Sequence, residues 1–290
     1  MESIVIIVID CADDRCAAAH NLERLRHDVA GRAPIVTVRR TGLSSLAVER
    51  KTDEGATRGA CLGRALLTST TRTAHAVVVT DTDTEIAPGW YDAAAHAFAE
   101  GADLIAGPVR PRNAEEFGRT STTAGFALDY LCHADPPFLN AAGHPSANNF
   151  GARRSLFDDM VANHPRTDVW KTEFCDWAHG HGIVTQSVAA MAVVSTKRDR
   201  PRKVLVDQFK RGCLHASIRS RTTSTIERIG RILGFAIVPF IGTARIATRS
   251  RWQPTPASWP LVFAGLCAWA CGEAIGYCAP RLHLGSETFG

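Results

Sequence analysis

The sequence has few of the features that mark disulfide-rich, zinc-binding or disordered proteins. Its 9 cysteines in 290 residues are too sparse for a disulfide framework, and no two form a C-x-x-C pair, so neither a zinc ribbon nor a thioredoxin-type site is indicated. Charged residues make up 21% and hydrophobic residues 45%, which is a globular composition. The cysteines are interpreted as reduced, mostly buried side chains of a cytoplasmic protein.

A secretion signal and a long uncharged apolar run are also missing. The first residues, MESIVIIVID, lack a basic start, and their apolar run ends at an acid. Two C-terminal stretches are the most apolar, Ile229–Ala247 and Trp259–Cys278, but charges, glycines or a proline interrupt both. We expect a protein of the cytoplasm, with the cytoplasmic face of the membrane as the alternative location.

Charge is distributed unevenly along the chain, although its net value is only +4. Residues 197–251 contain 14 Lys and Arg against 3 acids, a local charge of +11, which leaves −7 for the remainder. A polyanionic partner is expected, and nucleic acid is disfavoured because the basic stretch lacks interleaved aromatic residues. Two interpretations of the apolar C-terminal stretches stay open: helices in the membrane interface, or a helical pair packed on the body.

Apolar runs and helical patterns alternate along the first half of the chain. The predicted strands are Ile4–Ile9, Ile35–Val38, Ala76–Val79 and Leu104–Ala106, and the predicted helices are Ala17–Val29, Ala60–Thr68 and Trp90–Glu100. This alternation predicts an α/β fold with a mostly parallel sheet, helices on both faces, and ligands beyond the carboxyl ends of the strands. The composition changes after Arg198, so we expect an α/β domain over 1–203 and a helical, apolar and basic region over 204–290.

The most informative segment is an apolar strand that runs directly into two acids. Val77–Val79 is followed by Thr80, Asp81 and, two residues on, Asp83. Two carboxylates at one strand end repel each other unless a cation lies between them, and Mg²⁺ or Mn²⁺ favours one or two carboxylates together with phosphate oxygens. The alternative interpretation is a polar turn capped by Asp and Thr side chains.

Residues 77–109, VVVTDTDTEIAPGWYDAAAHAFAEGADLIAGPV, resemble the centre of the family-two inverting glycosyltransferases, which have the Rossmann-like GT-A fold. The resemblance implies a hexosyltransferase-type enzyme that transfers a sugar from a nucleotide-diphosphate donor to an acceptor hydroxyl. It also implies that Asp81 and Asp83 bind Mn²⁺ or Mg²⁺, which holds the diphosphate, and that Thr80 and Asp81 lie at the nucleotide. Some family members carry C-terminal apolar helices that hold them at the membrane, where lipid-linked acceptors reside.

Three further segments extend the resemblance. IVIDCADDR resembles the strand whose acid contacts the base, which implies a base contact by Asp10 or Asp13. GATRGA resembles a glycine-rich helix start, where Arg58 would balance phosphate charge, and ANNFGARR resembles a segment near the sugar, where Asn149 would contact the donor. The last segment also fits a turn followed by a helix start. His144 lies close enough in sequence to line the same pocket.

Two alternatives remain open within the resemblance. Ile4–Ile9 corresponds either to the family's second strand, with the first missing or truncated, or to the first strand, with Ile35–Val38 as the second. The catalytic base, which removes the acceptor's hydroxyl proton, is either Asp168 or Glu173 because the family's E-D pair is absent. A catalytically degenerate relative that acts as a binding or membrane-docked scaffold is therefore the alternative function. Residues 207–212 resemble the Q-x-x-R-W segment of processive members, which implies an acceptor or diphosphate contact by Gln208 and Arg211; the preferred interpretation is a solvated basic helix face.

Overall fold

A computed structural model describes residues 3–10, 15–29, 31–39, 62, 65–66, 68–112, 120–140, 142–163, 171–220, 223–249 and 253–278. The chain divides into two compact units. The first comprises residues 1–111 and 133–197, and the second comprises residues 112–132 and 198–289. The second unit is thus assembled from two separate parts of the chain, and the boundary predicted near residue 203 stays a prediction.

The first unit is a mixed α/β structure built on two sheets. The strands are β1 Ile4–Asp10, β2 Ile35–Arg39, β3 Ala76–Asp81, β4 Thr84–Ile86, β5 Leu104–Ala106, β6 Val109–Pro111, β7 Asn149–Arg153, β8 Thr185–Ser187 and β9 Val193–Ser195. The large sheet has the order β2-β1-β3-β7-β5-β8, and the small sheet has the order β4-β9-β6. In the large sheet only β7 runs against the other strands, so the predicted mostly parallel sheet is confirmed.

The helices of the first unit follow the strands that they connect. They are α1 Arg15–Val29, the single turn α2 Ser69–Arg72, α3 Trp90–Ala99, α5 Arg154–Asn163 and α6 Lys171–Gly180. The core lies between these helices and the large sheet, where β3 is buried at every position because its apolar residues face the core on both sides of the sheet. A stack of Phe157 on Phe174, with centroids 4.3 Å apart, joins α5 to α6.

Strand β7 is the element that the sequence pattern does not reveal. The interpretation of residues 147–154 as a turn and helix start is wrong for Asn149–Arg153, which pair with both β3 and β5 in the middle of the sheet. The strand lacks the β-branched residues that mark its neighbours, because space there is limited. A Cβ added at Gly151 would lie 3.1 Å from the side chains of Ile105, Phe98 and Val78.

The strands of the small sheet continue the chain beyond the carboxyl ends of three strands of the large sheet. β4 follows β3 after a two-residue turn, β6 follows β5 after Gly107 and Pro108, and β9 follows β8. Asp81 and Asp83 therefore lie where the chain passes from one sheet to the other. This passage fixes the two acids at the edge where parallel sheets bind ligands.

The described residues of the second unit are helical. They form α4 Thr120–Asp129, α7 Pro201–Arg219, α8 Thr225–Leu233, a 3₁₀ turn Gly234–Ala236, α9 Val238–Arg249 and α10 Trp259–Cys278. Helices α7 and α10 approach so closely that a Cβ at Gly212 would lie 2.1 Å from the Trp269 carbonyl oxygen, and one at Gly272 would lie 2.0 Å from that of Phe209. Small residues at such a contact let two helix backbones pack directly against each other.

A buried ion pair lies inside this helical unit. Arg211 donates to both carboxylate oxygens of Asp129, and Gln208 donates to one of them over 2.7 Å. Gln208 is buried and the Arg211 side chain is mostly buried, so the interpretation of these two residues as a solvated face is wrong. The proximity of Asp129 raises the pKa of Arg211 despite burial, so the pair is held in its charged form.

We predict that Gly107→Ala destabilises the first unit strongly. An added Cβ would lie 1.8 Å from the Met191 carbonyl oxygen and 2.5 Å from the Asn149 amide nitrogen, so the backbone has to move. We expect the free energy of unfolding to fall by about 3 kcal/mol or more. Gly180→Ala is the matched control, because no atom of the described part of the chain lies within 4 Å of its added Cβ. Chemical denaturation measures both variants, and equal stabilities would contradict the packing at Gly107.

Candidate functional site

The candidate site lies at the point where the strand order of the large sheet reverses. The chain goes from β1 to β2 on one side and then to β3 on the other side of β1. In doubly wound sheets such a switch point leaves a crevice beyond the carboxyl ends of the two central strands. Here those ends are Asp10 of β1 and Asp81 of β3, since Ile9 pairs with Asp81 in the register.

The topology also bears on whether Ile4–Ile9 corresponds to the first or to the second strand of the glycosyltransferase pattern. In the order β2-β1-β3, Ile4–Asp10 occupies the position of the first strand of a doubly wound sheet, next to the switch point. This favours the alternative in which Ile4–Ile9 is the first strand and Ile35–Val38 the second. The residue at the carboxyl end of the second strand is then Arg39, which pairs with Asp10 in the register.

The turn that carries the two acids is fixed by hydrogen bonds from three parts of the chain. Asn21 of α1 donates to the carbonyl oxygen of Thr82 over 2.9 Å, and the backbone amide and hydroxyl of Thr196 donate to that of Asp83 over 2.8 and 2.9 Å. The Thr84 hydroxyl donates to the backbone carbonyl and to a carboxylate oxygen of Asp81 over 3.0 and 3.1 Å. The turn is therefore rigid before any ligand binds.

The two acids differ in exposure. Asp81 is buried, whereas Asp83 is partly exposed. Thr80 is buried as well, and its hydroxyl lies 3.1 Å from that of Thr84, so it belongs to the framework of the turn. The more accessible carboxylate is the one that an incoming ligand reaches first.

The donor set fits a hard divalent ion in part. Within the described residues no group of three His, Cys, Asp or Glu side chains is arranged to hold a metal. Asp81 and Asp83 would thus supply the protein ligands, and phosphate oxygens and water would complete the shell. Mg²⁺ and Mn²⁺ sites of this composition depend on the substrate for their full coordination.

Asn149 has a structural role that its sequence neighbourhood does not show. Its side-chain oxygen accepts a hydrogen bond from Trp90 Nε1 over 2.9 Å, and its amide donates to the carbonyl oxygens of Pro108 and Met191 over 3.0 and 2.7 Å. The residue is fully buried, and both amide hydrogens are used. Asn149 therefore links α3, the β5–β6 connection at Pro108 and the β8–β9 connection at Met191 to β7. A contact of its side chain with a nucleotide-sugar donor stays a prediction.

The side chain of the adjacent Asn148 differs from that of Asn149, because its hydrogen-bonding capacity is only partly used within the part of the chain that the structure describes. The side-chain oxygen accepts a hydrogen bond from the Ser146 hydroxyl, but the amide nitrogen is buried and has no hydrogen-bond partner among the described residues. Asn149 pairs with Thr80, so Asn148 precedes β7 at the same edge as Asp81. A buried amide without a partner is costly, and such a group commonly marks a position for water or a ligand.

Helix α6 contributes to a second cluster of polar side chains, near the start of β7. His144 is buried and shares a hydrogen bond of 2.9 Å between its Nε2 and the exposed carboxylate of Asp176. The ring of His179 lies 5.7 Å from that of His144, and Lys171 Nζ donates to the Pro145 carbonyl oxygen over 2.8 Å. Burial and the charge of Lys171 lower the pKa of His144, so its neutral form is favoured.

Of the two candidate bases, Glu173 lies in the first turn of α6 and is partly buried. Asp168 lies outside the described residues, as do Asp13, Arg58 and the side chain of Asp10. These assignments stay predictions. The Asp176 pairing with His144 was not foreseen, because the two residues are 32 positions apart in sequence.

Comparison with known proteins adds one distant likeness. No protein-family model matches the chain, and no curated protein matches it. Among solved structures, the mannosyltransferase PcManGT from Pyrobaculum calidifontis, in complex with GDP-mannose and Mn²⁺, aligns over 97% of this chain and 75% of its own. The identity is 12% and the TM-score is 0.46. A likeness at this level assigns no function, which therefore has to be argued from the site.

We predict that His133 makes the protein less stable in acid. Burial and the charge of Lys171 lower its pKa from 6.5 to about 4, so the unfolded chain binds this proton more readily than the folded one. The free energy of unfolding should therefore fall by up to about 3 kcal/mol as the pH drops from about 6.5 to 4, and this residue should have no effect above that range.

Urea denaturation across this range, with His133→Asn for comparison, measures the effect. The asparagine amide nitrogen occupies the position of His133 Nδ1, which lies 3.0 Å from the Phe138 carbonyl oxygen, and asparagine does not titrate. The variant should show a weaker dependence on pH. Identical slopes for both proteins would contradict the prediction.

Proposed function

We propose that the protein is a metal-dependent glycosyltransferase that moves a sugar from a nucleotide-diphosphate donor to an acceptor hydroxyl with inversion. One observation carries the proposal: a rigid turn holds Asp81 and Asp83 at the switch point of a mostly parallel sheet. Ligands of such sheets bind at this position, and paired carboxylates there attract a divalent cation. The resemblance of residues 77–109 to family-two glycosyltransferases selects the reaction among those that such a site can support.

The roles of the residues follow from their accessibility. Asp83, which is partly exposed, would be the main protein ligand of Mn²⁺ or Mg²⁺, and Asp81 would be the second. The bound ion would neutralise charge on the diphosphate as it leaves. Thr84 and Thr196 hold the two acids in place through the bonds to the turn, so their contribution is preorganisation.

The base has to lie across the site from the leaving diphosphate. An inverting transfer takes place in a single displacement, in which a carboxylate accepts the proton of the acceptor hydroxyl as its oxygen attacks the anomeric carbon. Glu173 and Asp168 remain the candidates. Asp10 and Asp13, which end and follow β1 at the switch point, and Arg58 are proposed to contact the nucleotide.

We predict that Asp83→Asn lowers the Mn²⁺-dependent release of nucleoside diphosphate by at least about 100-fold. The amide keeps the size of the side chain but removes its charge, so the ion is bound weakly. UDP-, GDP- and dTDP-sugars, each with and without Mn²⁺, form the substrate panel. Asp159→Asn, an exposed acid of α5, is the control and should keep full activity.

The same panel separates the enzyme from a degenerate relative. Mn²⁺-dependent thermal stabilisation by one donor, without any turnover, would support the scaffold alternative. Absence of both binding and turnover for every donor, or equal activity of Asp83→Asn and the parent protein, would overturn the proposed function.

We further predict that Asn148 contacts the bound donor. Asn148→Ala removes the side-chain amide and also the acceptor of the hydrogen bond from the Ser146 hydroxyl, so the free energy of unfolding should fall by about 1 to 2 kcal/mol, whereas donor affinity should fall about ten-fold. Asn149→Ala should lower the free energy of unfolding further, because it removes the hydrogen bonds of its side chain with Trp90 Nε1 and with the carbonyl oxygens of Pro108 and Met191. Calorimetric titration and thermal melting measure the two quantities. A large loss of stability in Asn148→Ala with unchanged affinity would contradict the assignment.

A further inference from the structure

Exposed apolar side chains concentrate in one short part of the helical unit. Among the described residues, 10 large hydrophobic side chains are exposed, and 7 of them lie between residues 226 and 241. We call these seven the α8–α9 apolar surface: Ile226, Ile229, Leu233, Phe235, Ile237, Phe240 and Ile241. Scattered exposed hydrophobic residues are ordinary, but a concentrated group on a soluble protein marks an interaction site.

Helix α8 is amphipathic, but its apolar face is exposed and its polar face is packed against the rest of the helical unit. Ile226, Ile229 and Leu233 share one face at i, i+3 and i+7, and they are 85%, 51% and 75% exposed. A helix of a water-soluble protein turns such a face towards the core. Here that face is turned to the surroundings.

The polar face of α8 is turned inward instead. Arg228 donates to the carbonyl oxygens of Ser220 and Thr223, and the Arg231 guanidinium lies 6.0 Å from the centre of the ring of the buried Tyr277. Arg231 is also paired with Glu227 over 2.6 Å. These contacts fix the rotation of the helix, so its apolar face cannot turn inward without breaking them.

The following helix continues the same surface. Residues Thr225–Ala236 and Val238–Thr248 are apolar enough to form a span together, but they are bent by 68°, which rules out a single straight crossing. Phe240 and Ile241 of α9 are exposed, whereas Gly242 packs against Leu266 of α10. The bent pair thus has an inner side that packs on α10 and an outer side that is apolar.

Charge distinguishes between the possible occupants of this surface. Residues 225–249 carry four arginines against Glu227, a net charge of +3, and Arg245 of α9 is exposed. A second copy of the chain would bring the same positive charge against itself, which disfavours a dimer through this face. A bilayer with anionic headgroups offers both apolar depth and complementary charge.

We propose that the α8–α9 apolar surface inserts into the interface of an anionic phospholipid bilayer and holds the protein on the membrane as a peripheral protein. The apolar side chains would enter the boundary between headgroups and acyl chains, and Arg245 of α9, which is exposed, would contact lipid phosphates. The inference does not depend on the proposed sugar transfer, because it concerns only the helical unit and needs no donor.

Flotation of the full-length protein with vesicles tests the proposal. We expect binding to vesicles of phosphatidylcholine and phosphatidylglycerol, much weaker binding to phosphatidylcholine alone, and weaker binding as the salt concentration rises. Ile229→Ser combined with Leu233→Ser should lower partitioning about 100-fold, since each exposed side chain contributes about ten-fold on burial. Arg245→Gln should lower it about five-fold.

Val184→Ser is the matched control, because Val184 is 80% exposed but lies outside this surface, and it should leave partitioning unchanged. Thermal melting checks that the double variant still folds. Equal binding of parent and double variant would overturn the proposal, as would a parent dimer that the double variant abolishes while vesicles bind neither. Retention in membranes after alkaline carbonate extraction would show a spanning segment and overturn the peripheral assignment.

Discussion

The site depends on one electrostatic constraint: two carboxylates are held two residues apart at the end of a buried strand. A flexible loop would relieve their repulsion by moving one of them away. The turn at Asp81–Thr84 does not have this freedom, because bonds from Asn21, Thr84 and Thr196 hold its backbone and one carboxylate. In the proposed function the rigidity of the turn would favour metal binding, because the two acids would not have to be ordered when the cation binds.

The strands that could be predicted from sequence are those whose burial requires β-branched side chains. Ile4–Ile9 and Ala76–Val79 lie in the middle of the sheet and were recognised from continuous apolar runs. β7 lies just as centrally but carries Gly151, because the side chains of Ile105, Phe98 and Val78 already fill the space that a side chain at this position would occupy. The requirement for a small residue arises from distant parts of the chain, and no local pattern reports it.

The different roles of Asn148 and Asn149 could not be predicted from sequence for the same reason. Sequence places both beside the sheet edge but gives no sign of which amide is used by the scaffold. Asn149 can bond Met191 only because Gly107 leaves room for its side chain, and these three residues are far apart along the chain. The candidate acids, in contrast, were identifiable because a strand followed at once by two aspartates is a local pattern with a direct physical consequence.

The helical unit shows that a periodic pattern leaves the orientation of a helix undecided. The spacing of Ile226, Ile229 and Leu233 predicts an apolar face, but only the contacts of Arg228 and Arg231 show that it is turned outward.

The net charge of the chain does not report its attraction to an anionic surface either, since a value of +4 suggests only weak attraction. Electrostatic screening limits interactions to about 8 Å at physiological salt, so the residues that touch a surface determine the attraction. The charged side chains that lie beside the α8–α9 apolar surface, such as the exposed Arg245, therefore matter more than the net charge of the chain.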